Sequence, residues 1–206
     1  MSDSTNRSRI RAVATTGMLL AVMLLFAFTP IGFIQIGPIA ATLVHIPVII
    51  GVLTEGLGTG IFLGVAFGVI SMVRAFVAPT ITSFLFMNPL IAIVPRVLIP
   101  LIAWAVRALM LRTFEKARFE ARFGASAADA IGAFAGSLTN TVLVLSLIWL
   151  IYASRYAEAL DIAQGGVAAA LAATAVMNGL PEAVVAAVSV PAVSGALLLA
   201  KRRSAR

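Results

Sequence analysis

Apolar residues along the chain gather into long runs separated by short, more polar connections. The runs occupy residues 11–29, 38–53, 57–74, 89–111, 125–152 and 166–200. About 20 apolar residues in a helix cross the ~30 Å hydrocarbon core of a bilayer, so the pattern predicts six transmembrane helices. The last run is too long for one straight span. The sequence NGLP at 178–181 predicts a break in it, with Pro181 in the first turn of the final helix.

The composition agrees with a chain embedded in a membrane. Of its 206 residues, 61% are hydrophobic and 11% are charged, and the mean hydropathy is +1.08. A soluble domain of this length has no way to bury so much apolar surface. Six spans with short loops account for residues 1–206, so the predicted fold is a single all-α transmembrane domain. The absence of cysteine excludes disulfides and thiolate metal sites.

Basic residues set the predicted orientation. With six spans, three basic groups fall on one side of the bundle: Arg7, Arg9 and Arg11; Arg107, Arg112, Lys116, Arg118 and Arg122; and Lys201, Arg202, Arg203 and Arg206. Because Lys and Arg are enriched in cytoplasmic loops, that side, with both termini, is predicted to be cytoplasmic. The net charge of +7 is therefore interpreted as a topology signal rather than a nucleic-acid surface. Only Arg74 and Arg155 remain outside.

Small residues recur at helical spacing in three of the spans. The third carries Gly56, Gly60, Gly64 and Gly68, and the fifth carries Gly132 and Gly136, followed on the same side by Asn140. Faces of this kind let helices approach closely in lipid, so tight packing within the bundle is the expected role. Gly17 and Ala21 form a shorter version on the first span, which either packs internally or docks another membrane protein.

Arg96 lies within an apolar run, where a permanent charge is costly. The dipeptide Asn88-Pro89 has the pattern of a helix start, an N-cap followed by proline. This start puts Arg96 about 12 Å below the outer surface at ~1.5 Å per residue. Pro95 and Pro100 have no N–H, so the carbonyl four residues before each loses its helical donor. We expect these carbonyls to find other partners, such as a ligand hydroxyl or amide.

Further polar residues fall in the outer parts of the spans. The candidates for one pocket that opens outward are Thr42, His45, Arg74, Asn88, Arg96, Asn140, Asn178 and Glu182. Two arginines and a helix N-terminus suit a carboxylate, because guanidinium binds it bidentately and the helix dipole favours an anion. The pattern predicts a site for a small, water-soluble anion bound from outside. The long connection 74–88, uncharged after its first residue, is a candidate lid.

These residues also have structural interpretations. Arg96 can instead pair with Glu182 and hold two spans together. His45 can be a hydrogen-bonded core residue, and Asn140 can bridge two helices. Glu55, in the tight cytoplasmic turn between the second and third spans, is expected only to face water.

Four segments carry a family resemblance. They are IGPIAATLVHIPVIIG (36–51), RAFVAPTITSFLFMNPLIAIVPR (74–96), GSLTNTVLVL (136–145) and NGLPEAVVAA (178–187). In order and spacing they resemble the substrate-binding S-components of energy-coupling factor (ECF) vitamin transporters, most of all the pantothenate-type members. The block at 74–96 is the specific part of the resemblance.

The resemblance implies a six-helix bundle that binds a vitamin at its extracellular side in a bacterial or archaeal cell membrane. S-components associate with a transmembrane coupling protein and two cytoplasmic ATPases, which together form an ABC-type importer. No cofactor is implied. In the family, a small-residue motif on the first helix contacts the coupling protein, and Gly17 and Ala21 are the nearest match here. The lack of a nucleotide-binding P-loop in this chain agrees with that division of labour.

Pantothenate also suits the residues themselves. It offers one carboxylate for an arginine, with hydroxyls and an amide for Asn88 and Asn140. It lacks the flat aromatic ring of riboflavin or folate, which would call for stacking residues, and Trp104 and Trp149 are the only tryptophans. Of the two tryptophans, Trp104 lies in the cytoplasmic half of its span. Riboflavin or folate remains the alternative ligand, because a shared fold does not name the vitamin.

Two other classes of protein remain open at this point. The first is a stand-alone secondary transporter of a small carboxylate, with His45 or Glu182 as proton carrier. The chain is short for that role and shows no evident inverted repeat. The second is a membrane-embedded enzyme. One histidine, no cysteine and no acidic pair within the spans leave it without a metal site or a catalytic pair, so the expected protein is not an enzyme.

Overall fold

The structure is a computed structural model that describes residues 2–29, 32–34, 41–117 and 119–203. Its helices are α1 (Ser2–Phe28), α2 (His45–Glu55), α3 (Leu57–Val77), α4 (Ser83–Phe86), α5 (Pro89–Lys116), α6 (Ala121–Ala159), α7 (Val167–Thr174) and α8 (Leu180–Arg203). Two short strands, β1 (Phe33–Ile34) and β2 (Ala41–Thr42), pair antiparallel before α2. A 3₁₀ turn, Gln164–Gly166, precedes α7, and a π-helical turn, Ala175–Gly179, joins α7 to α8.

The predicted all-α membrane bundle is confirmed. Within the described residues, five helical segments are long and apolar enough to cross a membrane: Arg9–Phe28, Leu57–Val77, Pro89–Lys116, Phe123–Ala159 and Gln164–Lys201. The sixth element, α2, is apolar but shorter. Residues 38–40 of the second predicted run, Arg118 and Arg206 lie outside the described residues.

The second and last segments differ from the predicted spans. In the second, helix begins only at His45, because Thr42 is in the strand pair and its hydroxyl accepts a hydrogen bond from the N–H of Val44 at 3.2 Å. In the last, the predicted break near 178–181 is the π-helical turn, through which the helical path continues. Pro181 has no N–H to donate to that turn, and the turn is a single π-helical turn within a longer helical path, the form in which π-helix usually occurs.

The α3 glycines let α5 approach closely. A Cβ atom added to Gly64 would lie 2.6 Å from the carbonyl oxygen of Arg96, and one added to Gly68 would lie 2.9 Å from that of Ala92. Both distances are too short for any other residue, so the predicted tight packing of this face is a backbone contact. Gly56 has a different role: its φ of 97° makes the turn between α2 and α3, and nothing lies near it.

The α6 glycines contact the other side of α5. A Cβ on Gly132 would lie 2.8 Å from the carbonyl oxygen of Ala103, and one on Gly136 would lie 3.0 Å from the Cβ of the same alanine. Helix α5 is therefore clasped between two glycine faces, one on α3 and one on α6. This arrangement fixes the depth and rotation of α5 and so the position of Arg96.

Charged residues at the inner end of the bundle are paired. The Nε of Arg107 (α5) bonds the carboxylate of Asp129 (α6) at 2.5 Å, and the hydroxyl of Ser194 (α8) donates to the other carboxylate oxygen at 2.8 Å. Lys201 pairs with Glu55 at 2.7 Å. The expectation that Glu55 only faces water is wrong. Its side chain is 4% exposed, because the end of α8 covers the turn between α2 and α3.

Replacing Gly64 by alanine is expected to destabilise the protein by about 1–3 kcal/mol, the usual cost of overpacking an interior. The added methyl would meet the Arg96 carbonyl oxygen, a backbone atom that cannot turn aside. Thermal unfolding in detergent, followed by circular dichroism, measures the loss. Gly195→Ala is the matched control, because a Cβ there meets nothing within 4 Å. Equal melting temperatures for the two variants would contradict this packing.

Candidate functional site

A pocket lies among the outer ends of α3, α5, α6 and α8, and the segment after α3 covers part of it. It encloses about 920 Å³, its open mouth included. Its polar wall consists of Thr42, Ser71, Arg74, Thr80, Thr82, Ser83, Arg96, Asn140, Thr141, Thr174, Asn178 and Glu182. Phe67, Phe86, Val144 and Leu145 are the main apolar contributors. Polar groups that converge on a cavity whose surface is still mostly apolar are typical of a small-molecule site.

Six of the eight residues proposed from the sequence meet at this pocket: Thr42, Arg74, Arg96, Asn140, Asn178 and Glu182. Asn88 is not on the pocket wall. Its side-chain oxygen caps α5 by accepting from the N–H of Leu90 at 2.9 Å, and its amide donates to the hydroxyl of Tyr152 at 3.2 Å. His45 is not on the wall either. It is fully buried at the start of α2.

Arg96 is held on the wall by aromatic rings and by its own helix. Its guanidinium lies 5.2 Å from the ring centre of Phe67 and 5.1 Å from that of Phe86, within cation–π range. Its Nη1 donates to the carbonyl of Ile91 at 2.7 Å. That carbonyl is the one freed by Pro95, so it finds another partner as expected, but the partner is a side chain of the same helix rather than a ligand group. The second freed carbonyl, that of Arg96 itself, packs on Gly64.

The alternative pairing of Arg96 with Glu182 is not what the structure shows. Among the described residues the two side chains form no ion pair. Glu182 instead accepts a hydrogen bond from the backbone N–H of Thr42 at 2.6 Å, while Arg96 bonds Ile91. Both side chains are nearly buried, at 5% and 6% exposure. Each charge is therefore in the pocket wall without an opposite charge bonded to it, a costly arrangement unless a ligand completes it.

Arg74 lies nearer the mouth of the pocket. Its Nη1 donates to the carbonyl of Ala27 at 2.5 Å, which belongs to the last turn of α1. A cation at a helix C-terminus is favourable because it meets the negative end of the helix dipole. Arg74 thus ties the outer ends of α1 and α3 together while it borders the pocket.

Several buried polar atoms have no hydrogen-bond partner among the described residues. They include Nε of Arg96, Oδ1 of Asn140, Oγ of Ser137 and both ring nitrogens of His45. Buried polar groups in folded proteins are nearly always satisfied. The atoms of Arg96 and Asn140 belong to pocket-lining residues, so a bound polar molecule or water is the natural partner for them.

The segment between α3 and α5 covers the pocket, as the predicted lid would. Thr80, Thr82 and Ser83 contribute to the wall, and the N–H of Thr80 donates to the hydroxyl of Ser83 at 2.7 Å. Phe84 anchors the segment to α6. Its ring lies edge-on to Tyr152 with centres 5.8 Å apart, and the Arg155 guanidinium lies 4.5 Å from its centre.

Sequence reasoning missed the aromatic and several hydroxyl residues of the wall. Phe67 and Phe86 are apolar residues in apolar segments. The hydrophobic pattern of the sequence does not distinguish a phenylalanine that contacts a guanidinium from one that faces lipid. The hydroxyls gave a usable signal, since Thr80, Thr82 and Ser83 cluster in the segment that had been assigned as a lid.

An apolar helical bundle with a partly polar pocket near one end is typical of a multi-pass membrane protein that handles a small solute. The comparisons with known proteins agree. The family model described as "ECF transporter, substrate-specific component" matches residues 11–194. This chain therefore belongs to the ECF transporter substrate-specific component family, a family of transport proteins, as its resemblance to S-components had indicated.

A curated relative extends the likeness over nearly the whole chain. The chain is 32% identical over 214 aligned residues to a protein named pantothenic acid transporter PanT from Lactococcus lactis subsp. cremoris (strain MG1363). The alignment covers 96% of this chain and 99% of the relative. The predicted location in a cell membrane is confirmed by the family and by the apolar helices.

Asn88→Ala is expected to cost about 1 kcal/mol of stability through loss of the α5 cap. It should leave the ligand affinity unchanged, because Asn88 is not on the pocket wall. Asn88→Asp is the control, since a carboxylate still accepts from the N–H of Leu90, and the Tyr152 hydroxyl can turn to donate to it in place of the lost amide donor. Thermal unfolding and ligand binding are measured on the same preparations. A large loss of affinity in a folded Asn88→Ala protein would show that Asn88 contacts the ligand after all.

Proposed function

We propose that this protein captures pantothenate outside the cell as the binding subunit of an ECF-type importer. Uptake would be driven by ATP through a transmembrane coupling protein and two cytoplasmic ATPases. The observation that supports this most strongly is the Arg96 guanidinium, which is buried in the pocket wall and forms no ion pair with any acidic side chain that the structure describes. The likeness to the lactococcal pantothenic acid transporter points to the same vitamin.

The chemistry of the pocket fits a flexible, hydroxylated carboxylate. A ligand carboxylate can accept from Nε and from the remaining N–H groups of Arg96, only one of whose nitrogens is bonded to protein. Hydroxyl and amide groups of the ligand suit the threonines and asparagines of the wall, and its branched methyl groups suit Val144 and Leu145. Phe67 and Phe86 both lie against the guanidinium, which leaves little aromatic surface for the ring system of riboflavin or folate.

The environment of Arg96 strengthens its attraction for an anion. The guanidinium is shielded from water, so a charge-assisted hydrogen bond made there competes with little solvent. The two phenylalanine rings restrict its side chain before any ligand arrives, so less rotamer entropy is lost on binding. Closure of the segment at 78–86 over the ligand would exclude the remaining water.

Arg96→Ala is expected to weaken pantothenate binding about 10- to 150-fold, the worth of a hydrogen bond to a charged group. Isothermal titration calorimetry on the detergent-solubilised protein measures it. Arg112→Ala is the control, an exposed arginine near the inner end of α5 and not on the pocket wall. Unchanged affinity in Arg96→Ala would refute the carboxylate site. Titration of wild type with riboflavin and folate tests the alternative vitamins.

The surface of α1 fits docking to the coupling protein. Leu19, Met23 and Ala27 are its buried positions and face the bundle, whereas Gly17 and Ala21 are exposed. Nothing lies within 4 Å of a Cβ added to Gly17. The small residues are thus not needed for packing within this chain, and a close helix from a partner would explain them.

The double variant Gly17→Leu/Ala21→Leu is expected to bind pantothenate normally but to lose its association with the coupling protein. Bulky side chains there would hold a partner helix away. Co-purification with the ATPase module and ATP-dependent uptake into vesicles measure the loss, with Val22→Leu as the control at another exposed position of α1. Robust uptake by vesicles that contain this protein alone, driven by a proton gradient, would favour a secondary transporter instead.

A further inference from the structure

The pocket wall contains one carboxylate, that of Glu182, and only one of its two oxygens accepts a hydrogen bond from a described residue. Glu182 is in the first turn of α8 and is 6% exposed. One of its oxygens, Oε1, accepts from the backbone N–H of Thr42 at 2.6 Å. Its other oxygen, Oε2, has no hydrogen-bond partner in the part of the chain that the structure describes. A carboxylate offers about four acceptor sites, so most of its capacity is unused.

The contact with Thr42 determines which oxygen remains available. The hydroxyl of Thr42 accepts from the N–H of Val44 at 3.2 Å, which orders the turn into α2. The N–H of Thr42 is thereby fixed as a donor toward α8, and it engages Oε1 alone. Since Glu182 lines the pocket, Oε2 is the carboxylate oxygen that remains for a ligand.

Unsatisfied donors and acceptors lie on different walls of the pocket. On α5, Arg96 has a buried Nε that donates to nothing in the described residues. On the wall formed by α6 and α8, Oδ1 of Asn140 and Oε2 of Glu182 are acceptors to which no described residue donates, and they lie beside the NH2 donors of Asn140. A ligand that satisfies both walls must carry acceptors at one end and hydrogen-bond donors at the other.

We propose that Glu182 determines specificity by accepting a hydrogen bond from a hydroxyl at the uncharged end of the ligand. This inference rests on the proposed function, because it takes the ligand carboxylate to be at Arg96. The ligand then lies between α5 and α8 in one orientation, with its carboxylate on the guanidinium and its hydroxyls on Glu182. The reverse orientation would bring two carboxylates together and leave the guanidinium unpaired.

Two kinds of related molecule are rejected as a consequence. A ligand without hydroxyls leaves the buried carboxylate unpaired, and sites built around a polar group discriminate strongly against analogues that lack it. A dicarboxylate places a negative charge against Glu182, where burial makes repulsion strong. The same pocket therefore selects for a charge at one end and for neutral donors at the other.

Replacement by glutamine provides a sharp test. In Glu182→Gln the amide oxygen is needed by the N–H of Thr42, so the group turned toward the pocket becomes an NH2 donor. Binding of pantothenate is compared with that of its analogue in which both hydroxyls are replaced by hydrogen. Wild type is expected to prefer pantothenate about 10- to 150-fold. In Glu182→Gln the NH2 group can still donate to a ligand hydroxyl, but only as a neutral hydrogen bond, so this preference should fall to about 2- to 10-fold.

Arg96→Ala separates this inference from the function on which it rests. It should weaken pantothenate and the deoxy analogue by similar factors and so preserve the preference between them. Equal preference in wild type and Glu182→Gln would overturn the role of Glu182 and leave the carboxylate site standing. Failure of wild type to bind pantothenate at all would overturn both.

A second measurement needs no variant and so does not depend on how Glu182→Gln folds. Wild-type protein is titrated with an analogue in which a carboxylate replaces the terminal hydroxymethyl group of pantothenate. Repulsion by Glu182 should weaken its binding at least as much as the loss of the hydroxyls does. Binding as tight as that of pantothenate would contradict the assignment.

Discussion

Burial of one guanidinium inside the bilayer is the constraint on which the outer half of this bundle depends. The charge of Arg96 needs polar contact, and Pro95 supplies it by releasing the carbonyl of Ile91 for Nη1. Phe67 adds an aromatic contact from α3, which requires α3 and α5 to lie very close. Gly64 permits that approach because its missing Cβ leaves room for the Arg96 carbonyl. Pro95, Arg96 and Gly64 thus depend on one another, and the role of each is clear only from its contacts with the other two.

The features that could be predicted from the sequence are those determined by the local hydrophobic pattern and by the position of a residue along its membrane span. Run length and basic residues gave the helices and their orientation, because lipid leaves few alternatives for a chain. Depth along each span placed six of eight proposed residues around one pocket, since polar groups at similar depth in a small bundle converge. The Asn88 cap was likewise readable from its own dipeptide.

The rest depended on contacts between distant parts of the chain. The sequence identified the carbonyls that the prolines release but not their partners, since Arg96 reaching back to Ile91 depends on a rotamer. A salt bridge between Glu182 and Arg96 was one alternative, whereas a backbone N–H 140 residues away takes one of the Glu182 oxygens. Glu55 looked solvated because its partner, Lys201, is on the final helix. Such pairings follow from how helices pack, which a single sequence does not specify.

Charged side chains such as Arg107 are paired at the inner end of the bundle, whereas Arg96 and Glu182 at its outer end are not paired with each other. This difference explains how a marginally stable membrane protein can contain a binding site in which buried charges are left unpaired. At the inner end, Arg107 and Asp129 bond each other and tie helices together. At the outer end, Arg96 and Glu182 each hydrogen-bond a backbone group, and within the described parts of the chain neither forms an ion pair. A ligand that completes them binds the folded state alone and stabilises it in proportion to RT ln(1 + [L]/Kd). The unpaired charges of Arg96 and Glu182 at the outer end therefore destabilise the ligand-free protein and strengthen ligand binding. The ion pair at the inner end holds the helices in register with or without ligand.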